Sequence, residues 1–209
     1  MPKRKGKGRF AFGAGILAMF AWLSSKKSGE SDSSTGFTDS GDGYGSNYSY
    51  EDLTVTSKST DNSPDTDEEL ANIQYTSRVM DEIVELIGYR PTINSAYRSD
   101  ATNEAVGGVE TSYHLSGLAV DIHIGKSSDA DAEEKNRILN LLWDSDLPID
   151  EAIAYAMNTD GSNNPSGKSQ IHLSFAKSGT GDREFLYTVY GSSGTFHEWT
   201  PTTFKYPLT

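Results

Sequence analysis

Residues 95–125 read SAYRSDATNEAVGGVETSYHLSGLAVDIHIG, and the spacing of polar groups in this stretch governs the reading of the whole chain. His114 falls among turn-forming residues. Ala119–Ile124 alternates as a strand, with Ala119, Asp121 and His123 on one face and Val120, Ile122 and Ile124 on the other. Small Ala119 leaves room beside Asp121, and Gly117 lets the chain turn sharply between imidazole and carboxylate. A further strand is expected over Gln170–Phe175. If Ile171, Leu173 and Phe175 form its buried face, His172 and Ser174 point together to the opposite side. Two imidazoles and one carboxylate match the donor set of a catalytic zinc site that keeps one coordination position open. The 209 residues include no cysteine, so any metal must be held by His, Asp or Glu.

Outward from this stretch, Leu70, Ile73, Met80, Ile83, Val84 and Ile87 recur at three- and four-residue steps, which predicts a helix of about 20 residues beginning near Thr66. Asp67, Glu68 and Glu69 suit its first turn, Gly88 suits the position after its end, and Pro91 prevents its resumption. Short extended runs are expected at Thr92–Ala96, Ala119–Ile124, Glu151–Tyr155, Gln170–Phe175 and Arg183–Tyr190. A second helix is expected over Asp129–Trp143, with Ile138, Leu139, Leu142 and Trp143 as its apolar stripe. Helices segregated from several short strands indicate an α+β fold. The segment His197-Glu198-Trp199 lacks a metal-binding partner at useful spacing and reads as structural.

The chain before Thr66 has a different character. Residues 1–27 carry Lys3, Arg4, Lys5, Lys7, Arg9, Lys26 and Lys27 without an acid, so the overall net charge of −12 divides into +7 on this tip and −19 on the remainder. A body so acidic repels phosphate backbones, so no nucleic acid is expected to bind the folded domain. Between the basic clusters, Phe10–Leu23 is an uncharged apolar run, shorter than the ~20 residues that cross a hydrocarbon core. It is compatible with an uncleaved membrane anchor, a signal peptide, or a buried or virion-internal helix; bulky Trp22-Leu23 stands where a cleavage site would need small residues. From 28 to 65 the sequence is rich in Ser, Gly, Asp, Thr and Tyr with almost no aliphatic residue, the composition of a tether. The expected organisation is an anchor over 1–27, a low-complexity tether over 28–65 and a folded domain over 66–209.

The pattern Ser112-x-His114-x-x-Gly117-x-Ala119-x-Asp121, preceded by Ser95-x-Tyr97-Arg98-Ser99 and followed by His172, resembles the zinc D-alanyl-D-alanine carboxypeptidases. These include the vancomycin-resistance dipeptidases and many phage endolysins, and share a fold with the hedgehog signalling domain. The resemblance covers about residues 66–180. It implies a hedgehog-like α+β fold with a small antiparallel sheet and helices packed on one side. It implies one Zn2+ per chain held by His114, Asp121 and His172, and a peptidoglycan stem peptide as substrate. Arg98 would then bind the substrate's carboxylate or the carbonyl under attack, since a guanidinium offers a fixed fork to either. Ser112 and Ser174 would be donors that orient the ligands, and His123 either an outer neighbour of the metal or a rival ligand.

Relatives of this kind carry a carboxylate three residues before the last ligand as general base. Here that position is Ser169, which cannot accept a proton from water at neutral pH. The chain is similar instead to a phage endolysin-like branch, through Pro148-Ile149-Asp150-Glu151-Ala152-Ile153 and Gln170-Ile171-His172-Leu173-Ser174-Phe175. Glu151 or Asp150 is therefore the expected base. The leading expectation is a zinc-dependent hydrolase of D-Ala-containing bonds in bacterial peptidoglycan, attached through residues 1–27 to a membrane or virion shell. The alternative is a binding or structural protein of a virus particle that retains zinc for stability and has lost catalysis.

Overall fold

The computed structural model describes residues 42–124, 128–157, 170–177, 179, 181–189 and 195–201. The expected anchor over 1–27, the first part of the tether and Ser169 lie outside the described residues. The helices are α1 (Tyr50–Thr54), α2 (Asp67–Ile87), α3 (Asp100–Val106) and α4 (Ser128–Asp144). The strands are β1 (Thr92–Ser95), β2 (Ala119–His123), β3 (Ile149–Met157), β4 (Gln170–Phe175), β5 (Glu184–Val189) and β6 (Phe196–Glu198). The α+β class follows directly. Among the described residues, no helix is long and apolar enough to cross a membrane.

Helix α2 starts where a reciprocal cap satisfies its first amides: Glu69 N–H donates to the Thr66 hydroxyl, and Thr66 N–H donates to the Glu69 carboxylate. It stops at Gly88, which adopts φ 86° and donates its amide to the Val84 carbonyl at 2.9 Å. Ile73, Val79, Met80, Ile83 and Ile87 form its buried stripe. Ile138, Leu139 and Leu142 of α4 join the same core, whereas Trp143 remains 39% exposed. Trp199 is buried beside Trp143 and Phe185 and donates its indole N–H to Asn136 Oδ1, so 197–199 is structural as expected.

The tether expected over 28–65 does not extend through its second half. Tyr44, Tyr48 and Leu53 are buried in the main core, and the segment is fastened by polar groups that aliphatic periodicity cannot reveal. Tyr48 donates its hydroxyl to the Pro91 carbonyl at 2.6 Å, and the Tyr48 carbonyl accepts from Ser77. Asp81 on α2 accepts the Asn47 backbone and side-chain amides, both at 2.9 Å. Asn62 donates to the Thr54 and Tyr97 carbonyls and accepts the Ser99 amide, which frames Arg98 from both sides. Hydrogen-bonded Tyr and Asn here do the work that buried Leu and Ile do elsewhere.

The sheet runs β1-β2-β4-β3-β5-β6. It is mixed, correcting the antiparallel sheet expected: β3 and β5 are parallel, and the remaining pairs are antiparallel. The cause is connectivity. Strand β4 ends beside the start of β3, with Phe175 opposite Ile149, and β5 then begins at that same end of β3, with Glu184 opposite Glu151. A strand added there must run with β3. One sheet face is apolar, with Val120, Ile122, Ile171, Leu173, Phe175, Ala152 and Ala154 all buried in the core with α2 and α4. The other face carries the polar residues of alternating positions.

Candidate metal centre

Strand register assembles the site. Asp121 on β2 lies directly opposite His172 on β4, and Ser95 on β1 lies on the other side of Asp121. His114 arrives from the turn before β2. That turn needs Gly117, which has φ 75° and whose Cβ, were there one, would stand 2.9 Å from Ile73 Cγ1 and 3.1 Å from the Glu69 carbonyl oxygen. Thr76 donates to the Gly117 carbonyl and Asn72 to the Ser116 carbonyl, so α2 holds the turn from below.

His114, Asp121 and His172 are each buried and converge so that one ligand atom from each lies within 4.8 Å of the others. His114 Nδ1 is 2.5 Å from the Ala96 carbonyl oxygen, which fixes that nitrogen as the proton carrier and leaves Nε2 as the ligating atom. Asp121 Oδ1 is 3.4 Å from His114 Nε2 and 2.9 Å from His172 Nδ1. Ligands about 2.0–2.1 Å from a tetrahedral zinc stand roughly 3.3 Å apart, so this donor set fits such an ion with small adjustments. Protonation agrees. Burial pushes the His114 imidazolium down and keeps the ring neutral. Burial alone would raise Asp121, but the facing imidazoles of His114 and His172 outweigh it and hold the carboxyl well below the usual carboxylate range. A neutral imidazole and an ionised carboxylate are the forms that bind metal.

The remaining expected residues divide. Arg98 is turned inward, donating Nη2 to Asp121 Oδ2 at 2.8 Å and Nε to Ser95 Oγ at 2.8 Å; most of its fork orients a ligand rather than standing open as expected. Ser112 acts on the backbone, its hydroxyl accepting the His114 amide at 3.4 Å. Ser174 lies fully buried opposite Glu151, its hydroxyl without a partner among the described residues. His123 shares a strand face with Asp121 but is exposed, paired in register with Thr92 and Gln170, outside the ligand group.

Of the two candidate bases, Glu151 lies beside the centre: its Oε1 is 3.7 Å from His172 Nε2, the ring nitrogen turned away from Asp121. Burial raises the Glu151 carboxyl, partly countered by His172 and reinforced by Glu184 and Asp150. Asp150 is directed elsewhere, accepting the Asp182 amide at 3.0 Å. Sequence reading missed Tyr155, whose hydroxyl burial and the charges of Asp121 and Glu151 push up to about 12. Its position two beyond Ile153, which pairs with His172, was the available signal.

Against known families, residues 46–141 match the family model described as Peptidase M15. That span includes Arg98, His114 and Asp121 and ends before Glu151 and His172. It also begins inside the segment whose composition suggested a tether. No curated protein matches the chain.

Proposed function

We propose, from the match of residues 46–141 to the Peptidase M15 family model, that the chain is a metallopeptidase of that family and hydrolyses D-Ala-containing peptide bonds of bacterial peptidoglycan with one zinc ion. The observation that carries this reading is the convergence of His114, Asp121 and His172 beside Glu151. When bound, zinc supplies a Lewis acid and lowers the pKa of a coordinated water toward about 7. The chain's residues do the rest. His114, with its Nδ1 proton tied to the Ala96 carbonyl, presents a neutral Nε2. Arg98 holds Asp121 in place through Oδ2, and its Nη1 is the part of the fork left to assist the substrate's carbonyl oxygen. Glu151 Oε1 accepts the proton of the attacking water and returns it to the leaving amine.

Residues 1–27 would attach this domain to a membrane or particle shell through their basic tip and apolar run. The catalytic reading is tested with the full chain and purified cell wall. The expected result is about one zinc per chain and chelator-sensitive release of D-alanine or cleaved stem peptides, lowered roughly 10²–10⁴-fold in Glu151→Gln. Stoichiometric zinc without any release from cell wall would sink the enzymatic reading and leave the zinc-stabilised binding protein.

A further inference from the structure

The start of β3 carries an irregularity that decides which of two neighbouring carboxylates lies beside the centre. Ile149 pairs with Phe175 and Glu151 pairs with Ser174, so Asp150 is one residue too many for the ladder. In a regular strand, Asp150 would follow Ile149 onto the polar face opposite Ser174, and Glu151 would turn toward Leu173 and the core. The bulge reverses this. Glu151 takes the polar face, 3.7 Å from His172, and Ala152 takes the buried place opposite Leu173.

Several contacts grip the bulge. The Asp182 amide donates to Asp150 Oδ1 at 3.0 Å. The same carboxylate, together with burial, pushes the Tyr113 hydroxyl up to about 12. Gly181, at φ 74°, passes so close that a Cβ on it would stand 2.1 Å from the Ile149 carbonyl oxygen and 2.8 Å from Asp150 N. Arg183 holds a left-handed φ of 58° while its guanidinium donates to the Leu142, Trp143 and Leu147 carbonyls. Non-glycine residues enter that region only where the surroundings over-determine them, commonly beside working sites.

We propose that Asp150, anchored by the Asp182 amide, is a positioning residue that holds the β3 bulge and thereby aims Glu151 at the metal centre. The inference rests on the reading of Glu151 given above, and the variants are chosen to separate the two.

The test compares zinc-loaded full-length Asp150→Ala, Asp150→Asn and Glu151→Gln. Asp150→Ala is expected to lower kcat roughly 10- to 100-fold, as a displaced catalytic group does, with KM and zinc stoichiometry unchanged and faster hydrogen exchange at the amides of 149–153. Asp150→Asn keeps an acceptor oxygen and restores most of kcat and of the exchange protection. Unchanged kcat or unchanged exchange in Asp150→Ala overturns the proposal, as does an Asp150→Asn as impaired as Asp150→Ala. An inactive Glu151→Gln beside a fully active Asp150→Ala overturns the positioning role alone. A fully active Glu151→Gln overturns both the proton-acceptor reading and the role built on it.

Discussion

The same strands present two faces with opposite requirements. On one, Val120, Ile122, Ile171, Leu173 and Ala152 are wholly buried against helices and need only shape and apolarity. On the other, Asp121 and His172 are almost as buried, at 7% and 8% exposure, yet each group of the candidate centre has a named partner: Arg98 and His172 for Asp121, and the Ala96 carbonyl for His114. Burial on the first face supplies stability, whereas burial on the second sets protonation and direction. A substitution on one face should therefore be read by denaturation, and on the other by metal affinity.

The strongest challenge to this division is His172→Ala, which removes one of the three donors. Zinc stoichiometry measured by elemental analysis should fall to near zero with activity lost, while the apolar face stays folded. Retained zinc would break the comparison. On the opposite face, Leu173→Ala should cost about 2–5 kcal/mol in denaturant unfolding of the zinc-loaded protein, with zinc stoichiometry intact below the transition. Next in size, Arg98→Ala leaves the donors but frees Asp121, and zinc affinity by competitive chelation should weaken roughly 10- to 100-fold. An unchanged affinity would mean that the 2.8 Å contact orients nothing.

The smallest effect is a pH dependence of the metal-free protein. Burial holds the His114 imidazolium below its ordinary 6.5, so below that pH the unfolded chain takes up a proton that the folded chain refuses. Stability is then present above about 6.5 and declines as pH falls from there. Asp121, held low by His114 and His172, acts in the same direction only below its ordinary 3.8. Thermal melts across pH 5 to 8 in chelator should show the midpoint dropping on the acid side. A midpoint that rises instead would place a charged imidazolium in the folded site.

How much of this was legible in the sequence differs by residue. The α2 helix announced itself through periodicity, charged first turn and Gly88. The shared placement of His114, Asp121 and His172 was recoverable because turn chemistry and strand alternation are local rules. The segment 42–65 was misread because its fastening is long-range, through Asp81, Ser77 and Pro91. The mixed sheet was missed because the pairing of β5 beside β3 depends on where β4 ends rather than on any pattern within β5.

Sequence alone determined which residues could bind a metal, which side of each strand they would share, and that cysteine had no part in it, because side-chain chemistry and the period of two are properties of the chain itself. Tertiary structure decided that Arg98 would face Asp121, that His123 would stand outside, and that Glu151 rather than Asp150 would lie against His172. Those outcomes turn on a single extra residue in one ladder and on contacts between segments dozens of residues apart, and a linear pattern carries no record of either.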